Sequence, residues 1–197
     1  MAIPHHWSQG PMDVEPLNAA RTRWQFRWWL EPGEHVGALG QPNSASDDYI
    51  ARNVDFVLNQ VPGTWGKRTG VQFVQVGRLQ AAHITLRISN AIPPGATMWA
   101  PGWNFTDAQG RNIAQISPSM LYANTLLLLY VVGMEMVGHG CFRMHDMYTP
   151  NHSPYVGAMG NWHPADPYTA LPSDDEAEDA QLWLQGLAPH VHREPGW

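Results

Sequence analysis

The stretch GMEMVGHGCFRMHD, residues 133–146, decides how the rest of the chain is read. It ends an apolar run, LYANTLLLLYVV, residues 121–132, that holds no turn-forming glycine or proline before Gly133. Continuous apolarity does not separate helix from strand by period, but a run of this length favours a helix. On a helix Glu135 and His139 stand four residues apart and share one face. Gly138 and Gly140 bracket the histidine. A bend after Gly140 brings His145, six residues beyond His139, over that same face. Two imidazoles and a carboxylate converging on one point are a legitimate zinc ligand set.

The flanking sequence supplies the scaffold. In WQFRWWL, residues 24–30, Trp24, Phe26, Trp28 and Leu30 alternate with Gln25, Arg27 and Trp29. An aromatic period of two predicts a strand with one buried face. Ser46 or Asp47 can cap a helix over 47–61, where Ile50, Val54, Val57, Leu58 and Val61 form one apolar face, and Pro62-Gly63 stops it. VQFVQV (71–76) and HITLRI (83–88) alternate as strands, with His83 expected as a satisfied strand histidine rather than a ligand. Residues 89–111 are expected as a long loop, and NIAQIS (112–117) as a short edge strand. Ser173 followed by Asp174, Asp175 and Glu176 opens a closing helix that Gly186 ends.

Composition bounds the function. The chain has 197 residues, 44% hydrophobic and 14% charged, enough for one domain with a real core. A net charge of −6 gives no general attraction to nucleic-acid phosphates or anionic membranes. The lone cysteine, Cys141, excludes an internal disulfide and any zinc site built on several cysteines. The 10 histidines leave a histidine-based site open. The first residues, MAIPHHWSQGPMDVEP, lack the basic and apolar regions of a signal peptide, so a cytoplasmic product is expected. The apolar run 126–132 is far shorter than the roughly 20 residues of a membrane helix.

The order of elements and residues 133–146 together resemble the metzincin clan of zinc peptidases, its matrixin-like branch best. That clan carries HExxHxxGxxH followed by a methionine turn. VGAMG, with Met159, is similar to that turn, and the likeness spans roughly residues 20–188. The resemblance implies an α+β fold: a twisted, mostly parallel sheet of about four strands with an antiparallel edge strand, two long helices and a C-terminal helix. It frames a domain at 20–188, with an arm at 1–19 and a tail at 189–197. His139 and His145 match two ligand positions. Counted at fixed spacing, Glu135 stands at the first ligand position, Met136 at the catalytic glutamate and Phe142 at the motif glycine. A one-residue insertion, a π-bulge, instead makes Glu135 the catalytic glutamate and puts Met134 at the first ligand. Both alignments stay open.

Hydrolysis needs a metal-activated water and a base within reach of its proton. The first alignment lacks the base and the second lacks a ligand. The resemblance therefore implies a degenerate metzincin, with zinc as its one candidate cofactor. The expected role is a structural or binding subunit with protein partners in a larger assembly. The ten-to-one excess of Arg over Lys fits a GC-rich genome, such as an actinobacterium's or its phage's, and a virion-associated tail component is the example expected. A zinc metallopeptidase using Glu135, His139 and His145 on protein or cell-wall peptide is the alternative. A further reading places a peptide or glycan ligand against Trp99 and Trp103.

Overall fold

A computed structural model describes residues 14–33, 35–36, 44–97, 100–121, 125–144 and 170–186. At its centre is β2 (Trp24–Leu30), whose residues alternate between buried and half-buried along its whole length. Trp24, Phe26, Trp28 and Leu30 are all at most 4% exposed. Parallel β5 (Val71–Gln75) pairs on one side of β2, matching Phe26 to Phe73. Those two rings meet edge to face at 5.9 Å, the geometry the ring quadrupoles favour. On the other side lie a two-residue antiparallel strand, β1 (Glu15–Pro16), and then parallel β6 (Ile84–Ile88). Parallel β8 (Asn112–Ile116) follows β6, and antiparallel β7 (Gly102–Thr106) closes the sheet. A separate two-stranded ribbon joins β3 (His35–Val36) to β4 (Ser44–Ala45).

The sheet register puts Trp24, Phe26, Leu86, Ala114 and Asn104 on one face, and the helices pack there. Ser46 caps α1 (Asp47–Asp55) by accepting from the Tyr49 N–H. The helix continues as a π turn at Phe56–Gln60, from which the Asn59 side chain covers the outer edge of β5: it donates to the Phe73 carbonyl and accepts from the Phe73 N–H. After α2 (Trp65–Thr69), Gly70 takes φ 76°, which favours a residue without Cβ, and the chain enters β5. Past β8 come α3 (Pro118–Leu121) and α4 (Thr125–Val131), and α4 runs on as a π-helix over Val132–His139. Finally α5 (Asp174–Leu184) opens with a capping box between Ser173 and Glu176. It docks on α2 through the Arg68–Asp174 ion pair and the Arg68 bond to the Pro172 carbonyl at 2.6 Å.

The fold expectation is corrected in three respects. Among the described residues the sheet is mixed, with six strands rather than about four, and two of its five pairings are antiparallel. Residues 112–117 do not form an edge: all of β8 is buried, because it pairs with β6 on one side and β7 on the other. Among the described strands the edge is β7, inside the stretch expected as loop. Nor do the described residues hold two long regular helices, since the described helical spans near 47–61 and 125–139 change hydrogen-bond pitch midway. With three parallel and two antiparallel pairings over six described strands, these pairings do not form the four-stranded metzincin-like sheet expected. Residues 15–16, within the stretch expected as an arm, pair with β2.

Candidate functional site

Of the residues singled out by sequence, Glu135, His139 and Trp103 are described; His145, Met159 and Trp99 lie outside the described residues. Glu135 and His139 sit half-buried on the π-helical stretch, which leans on β7 and β8. The approach is close at Gly102: a Cβ there would lie 2.7 Å from Glu135 Cγ and 2.8 Å from Val131 Cγ1. Gly102 is therefore what allows the helix to rest against the edge strand.

After Gly140 the chain does bend back. Phe142 N–H donates to the Val137 carbonyl and Met144 N–H to the Gly138 carbonyl, both at 2.9 Å. The bend passes through Arg143 at φ 58°, so an arginine rather than a glycine takes the left-handed conformation. Phe142 fills the core against Trp65, ring centroids 5.3 Å apart. His139 lies 2.7 Å from the Met144 carbonyl through Nδ1. A carbonyl only accepts, so Nδ1 carries the proton and Nε2 is the ring's acceptor in the neutral form.

The turn is tied to the sheet edge by two carboxamides. Asn112, 8% exposed, donates to the Gly140 carbonyl at 2.8 Å and accepts from Asn104 Nδ2 at 2.9 Å. Asn104 also donates to the Ile113 carbonyl at 3.1 Å. His139, its turn and β7 thus form one connected unit.

The outer edge of β7 was missed by sequence reading. Ser117 N–H donates to the Pro101 carbonyl, and Asp107 N–H to the Arg111 carbonyl, at the two ends of the β7–β8 ladder. Antiparallel bonding alternates, so Trp103 and Phe105 turn their backbone groups toward β8, and Gly102, Asn104 and Thr106 turn theirs away. Among the described residues no strand pairs with that outer side. The five residues of β7 carry no charge. Just past them, the Arg111 side chain pairs with the Asp107 carboxyl and holds it below the usual carboxylate range. The Trp103-Asn104-Phe105-Thr106 alternation before the Asp107–Gly110 turn was the available signal; nearby Pro and Gly masked it.

No family model matches the chain, and no curated protein does. Among solved structures it is similar to "GM1 bound form of the ECX AB5 holotoxin", at 11% identity over 86% of this chain and 82% of that one, with a TM-score of 0.48. A likeness at that level carries no argument about this chain. Among the described residues no group of three His, Cys, Asp or Glu side chains could hold a metal ion. Glu135 and His139 supply one carboxylate and one imidazole, short of the three protein ligands of a catalytic zinc site. The metzincin resemblance is corrected on these findings: the chain is not assigned to that clan. The zinc, pseudoprotease, Met-turn and phage-tail readings attached to it are not carried forward. Among the described residues no helix is long and apolar enough to cross a membrane.

Proposed function

We propose that this chain is a binding subunit of a protein assembly, and that it takes an extended protein segment along the outer edge of β7. One observation carries the reading: Gly102, Asn104 and Thr106 direct their backbone N–H and C=O groups away from β8, on an uncharged strand that no other described strand covers. Natural edge strands are blunted by charge, by proline within the strand or by a covering element. On the opposite edge, β5 is covered in that way by Asn59. An added strand satisfies the open groups through main-chain bonds, and the alternate side chains supply specificity. Trp103 and Phe105, half-buried on the sheet face away from the helices, offer apolar contact to such a segment. The reading is of a docking module rather than an enzyme, and no reaction is assigned to Glu135 or His139.

The test is titration of the full chain with a synthetic peptide of its own residues 100–108, followed by tryptophan fluorescence and calorimetry. Saturable binding that is lost in Thr106→Pro, which removes an outward N–H, supports the reading. No binding to the unaltered chain, or equal binding to the variant, contradicts it.

A further inference from the structure

The sequence of β7 is suited to pairing with itself. We infer that the segment docked on β7 is β7 of a second copy of this chain, paired antiparallel about a two-fold axis through Asn104. The inference rests on the edge-binding reading above and adds the identity of the partner.

Self-complementarity carries the argument. A two-fold axis at Asn104 sets Asn104 opposite its equivalent, Gly102 opposite the partner's Thr106, and Trp103 opposite the partner's Phe105. Gly102, Asn104 and Thr106 are the three residues whose backbone groups point outward. In this register each outward N–H meets an outward carbonyl. Trp103 and Phe105 share the sheet face opposite the helices, so the aromatic pair forms twice across the axis. A one-residue slip would set inward-pointing backbone against outward-pointing backbone and lose both sets of contacts.

The charges agree with the register. Nothing on Gly102–Thr106 is ionised, so no like charges face each other. Asp107, already paired with Arg111, falls opposite Pro101 of the second copy rather than opposite its own equivalent. Glu135, which lies over Gly102, falls nearest the partner's Thr106. The arrangement is isologous, and isologous pairing closes at two copies.

Two measurements on the full chain test this. Light scattering across a dilution series is expected to give about twice the 22.0 kDa chain mass when concentrated, falling toward one chain mass on dilution. Thr106→Pro is expected to stay monomeric at every concentration and Thr106→Val, which keeps the N–H, to dimerise. Asn104→Cys with oxidised glutathione is expected to give a disulfide-linked dimer, because a directly opposed hydrogen-bonded pair has its Cα atoms about 5.5 Å apart. Trp103→Cys, which faces Phe105 of the other copy, is expected not to cross-link. The native Cys141 is fully buried and does not interfere. A dimer indifferent to Thr106→Pro, or cross-linking at 103 but not 104, overturns the proposal. A monomer at all concentrations overturns it as well. If that monomer still binds the 100–108 peptide with slowed exchange at Asn104 and Thr106, edge binding survives without the dimer; if it does not, both readings fall.

Discussion

Asn104 on the edge strand and Asn112 on its neighbour are joined side chain to side chain at 2.9 Å, and Asn112 passes the link to the carbonyl of Gly140. This short relay connects β7, the outermost strand among the described residues, to the turn that holds His139. Leucine at 112 would keep the branching of the side chain and remove both bonds. The Gly140 carbonyl would then be left buried without its partner, a loss of about 1–3 kcal/mol. Chemical denaturation of Asn112→Leu measures it; a change within experimental error would show that the relay contributes nothing.

Gly140 itself tolerates no side chain. A Cβ there would overlap Ile84 Cδ1 and lie 2.5 Å from the Met136 carbonyl, a backbone atom that cannot step aside. Gly140→Ala is expected to cost about 3 kcal/mol or more, at the upper end of overpacking effects. Gly77, where a Cβ meets nothing within 4 Å, is the control. Gly77→Ala should fall within about 0.5 kcal/mol of the parent, as surface changes do. Equal losses at the two positions would refute the close approach of the helix end to β6.

The N-terminal strand is held by charge. Glu15 pairs with Arg27, and its carboxylate lies 3.7 Å from His83 Nε2. His83 Nδ1 in turn accepts from the Arg27 backbone N–H at 3.1 Å. The Arg27 guanidinium holds the Glu15 carboxyl below its ordinary value. A carboxyl depressed on folding stabilises at pH above its unfolded value, and that stabilisation is lost as pH falls through the folded one. Stability of the parent should therefore fall on acidification below the ordinary glutamate range. Glu15→Gln should lack that part of the acid limb. Superimposable acid limbs would show that β1 is not held this way.

Close packing at Gly102 gives a prediction for the site. Gly102→Ala would press a methyl group against Glu135 Cγ and the stiff Val131 side chain. The expected cost is about 1–3 kcal/mol by thermal or chemical unfolding. A neutral result would mean that the helix does not rest on the edge strand.

Much of the scaffold could be read from residue patterns. The alternation of WQFRWWL became the half-buried central strand β2, and VQFVQ and ITLRI became its parallel neighbours. Ser46 and Ser173 cap the helices expected of them. Strand β7 was less visible, because Pro101, Gly102 and Gly110 frame it and such residues ordinarily punctuate loops. The buried pairing of β8 could not be known without the strand that covers it. At the site, Glu135 and His139 lie on one helical stretch, as their spacing implied, and both are half-buried there. That spacing did not show that His139 Nδ1 would go to the Met144 carbonyl, or that an arginine would make the turn. Those outcomes depend on contacts formed only once the turn has packed against the sheet.

The central claim is that the outer edge of β7 is a protein-docking surface. Residue-resolved hydrogen exchange at Asn104 and Thr106, with the full chain dilute and then saturated with the 100–108 peptide, tests it most directly. The account predicts fast exchange at both amides in the dilute chain, strong slowing of both with peptide, and no change at Trp103 and Phe105, whose amides already face β8. Slow exchange at Asn104 and Thr106 before any peptide is added, or no slowing after it, would contradict the account.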